Sequence, residues 1–126
     1  MKGRENVGST EAEMLIADTT FPVDVVTVTL EKTDQVETLE RGTVLAAESS
    51  TGKCKAIRQL SNTSSYAAYV LADAVETSDK EETVGSAYQT GKFVRQALKT
   101  AEDYELNQGD FKALRDSGIY VESAMM

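Results

Sequence analysis

At 126 residues the chain is the size of one domain, long enough to bury about two-thirds of its unfolded surface in a core of its own. Its net charge of −8 and its lack of any basic stretch speak against binding along a nucleic-acid backbone or an anionic membrane surface. Histidine is absent, which removes Ser-His-Asp and Cys-His catalysis and HExxH zinc sites, and a single cysteine excludes an internal disulfide framework.

Residues 1–20 are polar, carry Gly3, Gly8 and Ser9, and show no hydrophobic period, so they read as a flexible arm ahead of a folded part spanning 21–126. The apolar piece Met14-Leu15-Ile16-Ala17 follows Glu11 and Glu13. It falls short of the roughly 7–15 apolar residues of a secretory signal, so the chain is expected inside the cell that makes it. Met14, Leu15 and Ile16 form a knot with two readings: a docking point for a partner, or packing on the chain's own domain.

Phe21-Pro22 opens the folded part. Val23–Leu30, with four valines and two threonines, is a strand in which Val26, Val28 and Leu30 share a face. A charged connection, Glu31–Glu40, leads to a hairpin: Thr43–Glu48, a four-residue loop at Ser49–Gly52, and Lys53–Ile57. Cys54 and Ala56 share one face of the second arm and its lysines the other. Ala67–Glu76 is a dense apolar run between polar brackets and reads as the central strand. Its alternation places Ala67, Tyr69 and Leu71 on one side and Ala68, Val70 and Ala72 on the other. An acidic loop follows, then a short strand at Val84–Tyr88, a turn through Gly91-Lys92, and a strand at Lys92–Leu98.

The strongest local signal comes last. Asn107 or Asp110 caps a short helix of about two turns. Gly118 takes the left-handed position after it, pairing Leu114 with Ile119 across the helix end. Ile119–Glu122 closes the chain as a strand, and Phe111, Leu114, Ile119 and Val121 are expected in the core. The connections are too short and polar for repeated βαβ units. The fold expected is mainly β: a compact antiparallel domain of β-clip or β-tulip kind, with one short C-terminal helix and a flexible N-terminal arm.

No motif amounts to a reaction centre. Gly85–Phe93 has five residues between its glycines, where a phosphate-binding loop needs four, and Phe93 stands where the magnesium-binding hydroxyl belongs. Cys54 lies between two lysines, but on a strand both point to the opposite face, so an inert packing role is expected. Asp79, Glu81 and Glu82 lack calcium-loop spacing and read as a solvated loop. Glu102, Asp103 and Glu105 read as a hydrated linker. No catalytic, metal or cofactor residue is assigned.

The order of the motifs is informative. Arg41-Gly42-Thr43-Val44-Leu45 is followed by Thr51-Gly52-Lys53, by Tyr69–Val75, by Gly91-Lys92-Phe93, and by Leu114-Arg115-Asp116-Ser117-Gly118-Ile119-Tyr120-Val121. The set resembles the head decoration proteins of tailed bacteriophages, the family of the lambda capsid-stabilising protein D. The resemblance implies a non-enzymatic virion protein, without cofactor, assembled in the host cytoplasm. It implies a homotrimer on the outer surface of the expanded capsid, bound to the major capsid protein and resisting the pressure of packaged DNA. It also implies that the N-terminal arm is ordered on the capsid by strand addition; from their apolar character Met14, Leu15, Ile16 and Phe21 are the expected anchors. The alternatives from other classes are a small β accessory domain of an enzyme and a generic interaction adaptor.

Overall fold

The computed structural model describes residues 15–17, 22–58 and 65–122. In chain order its strands are β1 (Asp24–Leu30), β2 (Thr38–Leu39), β3 (Val44–Glu48), β4 (Cys54–Ala56), β5 (Ser65–Leu71), β6 (Val75–Glu76), β7 (Thr83–Val94) and β8 (Ile119–Glu122). A 3-10 turn, Arg95–Ala97, and a helix α1, Gln108–Ser117, lie between β7 and β8. The main sheet runs β1-β4-β3-β5-β7-β8, and β1 also pairs with β7. That extra pairing closes five strands into a small barrel and leaves β8 outside the ring. β1–β4 and β7–β8 are parallel; the other ladders are antiparallel.

Two cores follow from the closure. Inside the ring lie Val28, Leu30, Leu45, Ala47, Cys54, Ala56, Ala68, Leu71 and Ala87. Barrel diameter grows with strand number, and eight strands already leave room only for side chains. Five leave less, which accounts for the alanines. The short β2–β6 pair lies over this core, with Leu39 buried and Val75 packed against it. Outside the ring, α1 and neighbouring segments cover a second core of Val44, Ala46, Ile57, Ala67, Val70, Tyr88, Phe93, Leu114 and Ile119.

β1, both arms of the hairpin and β8 form where expected, and Leu114 and Ile119 are fully buried. Four expectations need correction. The run Ala67–Glu76 is two strands: β5 ends at Leu71, and Val75–Glu76 turns away to pair with β2. β5 does not alternate simply. Leu45 pairs with Tyr69 but Ala46 with Ala67, so Ala68 is an extra residue. This bulge turns Ala68 inward together with Tyr69 and Leu71, and leaves Ala67 outside with Val70.

The expected turn at Gly91-Lys92 is the interior of the twelve-residue β7, and the strand ends at Val94 rather than Leu98. A bulge at Gln89, where Asp24 pairs with Thr90 and Val25 with Tyr88, supplies the bend there. Finally, α1 has ten residues, longer than two turns, and Phe111 is only half-buried, beneath the Arg95 guanidinium 4.8 Å from its ring centre.

The helix ends are specified as the sequence indicates. The Asn107 side chain accepts from the Asp110 amide at 2.9 Å, and the Asp110 carboxylate accepts from the Asn107 amide at 3.0 Å. Gly118 follows with φ 108°, its amide donating to the carbonyl of Arg115. The Asp110 carboxylate also accepts from the Tyr104 hydroxyl at 2.6 Å, which ties the preceding loop to the helix start.

Three measurements test this packing. Ala87→Leu overfills the barrel and should cost about 1–3 kcal/mol in chemical denaturation. Gly85→Ala should be neutral or stabilising by about 0.4–1 kcal/mol, because a Cβ there meets Leu30 Cδ1 at 3.4 Å, an ordinary contact.

The third concerns pH. The hydrogen bond to Asp110, with burial, pushes the Tyr104 hydroxyl up to about 12. As pH rises through about 10 the unfolded chain loses this proton first. The contribution is therefore complete below about pH 10 and lost as pH climbs through 12. Thermal melts between pH 9 and 12 should show a steeper fall in the wild type than in Tyr104→Phe.

Candidate functional site

Of the expected arm, residues 15–17 are described, and they meet the folded domain at the C-terminal half of β7. Residues 15–17 run antiparallel to it, with Ile16 bridged to Phe93. The Val94 amide donates to the Leu15 carbonyl at 2.8 Å, and the Ala17 amide donates to the Lys92 carbonyl at 2.8 Å. On the opposite edge the same stretch pairs with β8, Gly91 opposite Ile119 and Phe93 opposite Val121.

Side chains fix the junction more firmly than these few backbone bonds. Leu15 is 3% exposed and belongs to the outer core, with Ile16 packed against it. Phe93 is fully buried beneath the segment, its ring centre 5.2 Å from that of Tyr88. The Tyr88 hydroxyl accepts from Arg41 at 3.0 Å.

Two glycines make room. Gly42, at φ +98°, lies against Leu15; a Cβ there would stand 3.4 Å from Leu15 Cδ1 and 3.0 Å from the Ala97 carbonyl. Gly91, at φ +152°, lies under the Phe93 ring; a Cβ would come within 2.8 Å of it. Arg41-Gly42 and Gly91-Lys92-Phe93 therefore meet at the seat of the N-terminal segment, although about fifty residues separate them in sequence.

Leu15 and Ile16 are thus placed on the domain itself. Met14 and Phe21 lie outside the described residues. The sequence offered the apolar knot as a signal but not the glycine that receives it, because nothing in the chain near Gly42 marks it as a neighbour of Leu15.

The remaining candidates have local structural roles. Cys54 is fully buried inside the barrel, and burial, with Glu31 nearby, pushes its thiol up to about 11, so it holds its proton at neutral pH. Glu82 pairs with Lys53. Glu102 pairs with Arg58 at 3.0 Å in an open groove of about 500 Å³, where Arg58 also faces Glu37 at 3.8 Å and Lys99 faces Glu40 at 3.9 Å. The charges of this groove are directed at one another rather than at a common point.

The chain matches the family model described as bacteriophage lambda head decoration protein D over residues 6–119. It belongs to that family. No curated protein matches it. The family is a structural one, so the chain is a component of the phage head. Three of the five motifs that carried the resemblance contribute to the seat: Arg41-Gly42, Gly91-Lys92-Phe93, and Leu114 with Ile119 in the core beneath.

Leu15→Ala should therefore destabilise the free protein by about 2–5 kcal/mol, the cost of a buried large-to-small change. Gly42→Ala should also destabilise it, and by more than 1 kcal/mol, since it adds backbone strain to a tight contact. Urea melts of the isolated protein would check both. A loss within about 0.5 kcal/mol for Leu15→Ala would mean that the residue is not part of this core.

Proposed function

We propose that the protein binds as a homotrimer to the outside of the expanded capsid, contacts the major capsid protein through its N-terminal arm, and stabilises the shell against the pressure of packaged DNA. The observation that carries this reading is the family match, which extends into the arm as far as residue 6. The seat on β7 supports it. An arm rooted by Leu15 and Ile16 starts from a fixed point on the domain, with Met14 just ahead of the root and Phe21 between the root and β1 as the side chains left to contact the capsid.

Ordering an arm costs about 1–2 kcal/mol per residue in backbone entropy. Backbone pairing with a capsid strand edge and apolar anchors offset this only in part. One arm binds weakly, but three on one body gain roughly 10²–10⁴ in avidity. The acidic surface of a −8 chain also keeps the protein off the packaged DNA.

The test is co-sedimentation with expanded, undecorated capsids. Wild type should bind at three-fold positions and raise the capsid's resistance to heat. A chain lacking residues 1–14 should keep its fold and oligomeric state but fail to co-sediment. Full binding by that truncated chain would remove the arm from the mechanism, and absence of binding by the wild type would reject the decoration reading.

A further inference from the structure

The barrel is covered by α1 over only part of its circumference. The β1–β7 ladder lies partly outside that cover. Its register places Thr29 opposite Val84, Thr27 opposite Ser86 and Val25 opposite Tyr88. Val28 and Leu30 point into the barrel, so Val25, Thr27, Thr29, Val84 and Ser86 point out. None of the five is ionisable, in a chain with 34 charged residues among its 126 (13 basic and 21 acidic). Val25 is 55% and Val84 65% exposed. Charge appears only at the ends of the strip. Glu31 follows β1 and Glu82, paired with Lys53, precedes β7 at one end; at the other, Asp24 begins β1 and Arg41 bonds Tyr88. β1 is paired along one edge by β7 and meets β4 on the other only at Leu30 with Cys54, so the strip offers a partner its side-chain face beside the stretch of β1 edge from Asp24 to Thr29 that β4 does not reach.

We propose that this face is where one copy of the chain binds the next, an inference that rests on the trimeric reading above. Charge selects the partner. Copies that each carry −8 repel, so contact between them needs a surface where no charge is desolvated or set against its like. The outward strip is such a surface. A basic partner, by contrast, would be drawn to the acidic loop around Asp79–Glu82. The hydroxyls of Thr27, Thr29 and Ser86 also suit self-association. Each can donate and accept, so the same groups can bond to their own equivalents around a symmetry axis, while a donor-only or acceptor-only strip could not. The two exposed valines supply apolar area on either side.

The experiment is sedimentation of the full-length protein at micromolar concentration, with far-UV circular dichroism and thermal melts to confirm folding. Wild type should sediment at three times the mass of the 13.7 kDa chain. Thr27→Glu and Val84→Glu should each stay folded and fall to the mass of one chain. Val36→Glu, at a 53% exposed site off the barrel strands, should remain trimeric. Molar salt, with a screening length of roughly 3 Å, should restore part of the association in the two strip variants.

Strip variants that remain trimeric would overturn the proposal, whether or not they still bind capsids. A wild type that is monomeric at all concentrations would overturn it too. Capsid binding by wild type is scored separately: a monomer that still decorates capsids leaves the decoration reading intact while this inference falls, and a trimer that ignores capsids does the reverse.

Discussion

The structure depends on how the barrel closes, and the closing ladders are short. β5 meets β7 at two residue pairs, Val70 with Tyr88 and Leu71 with Ala87. β1 meets β4 at a single pair, Leu30 with Cys54, extended by the Glu31 amide donating to the Cys54 carbonyl at 2.8 Å. Backbone hydrogen bonds each add only about 1 kcal/mol net. Packing therefore holds the ring: a filled interior of alanine, leucine and valine, and an outer layer pressed on it by α1 and by Leu15. Small residues at Ala47, Ala56, Ala68 and Ala87 are a condition of closure, since larger ones would force the seams apart.

β7 carries the heaviest demands. Its first half completes the barrel, and its second half leaves the barrel to join β8 and the N-terminal segment. The bulge at Gln89 and the glycine at position 91 let one strand do both. Tyr88 and Phe93, on either side of this bend, end up in the same core and in contact with each other. The barrel and the arm's seat are therefore two ends of one element, and a change at the bend is felt by both.

Signals contained within a few residues could be read from the sequence. The Asn107–Asp110 capping box, the Gly118 helix end with Leu114 and Ile119, and the Ser49–Gly52 hairpin loop each lie within about a dozen residues. Features set by distant partners could not. Gly91 resembles a turn residue because its role is defined by the Phe93 ring in a bent strand. The Ala68 bulge interrupts an apparently regular alternation without any local mark. β2 and β6 are two-residue ladders that exist only because each finds the other. The site divides the same way. The apolar character of Leu15 and Ile16 was visible in the sequence, while their seat and the uncovered outer strip of β1 and β7 require knowing which strands are neighbours.

The bridge between Ile16 and Phe93 also defines a load path. A pull on residues ahead of Leu15 reaches the described domain at residues 15–17. It enters β7 through the Leu15 carbonyl and the Ala17 amide, two bonds on the same edge of one strand. Pulled along the strand, those bonds share the force in shear; pulled away from it, they open one after the other, as a zip does. Because β7 is itself stitched into the barrel by its seven-residue register with β1, force along the strand is passed to the stiffest part of the molecule. The direction in which the N-terminal segment leaves the domain thus decides whether it acts as a tether or as a release tab.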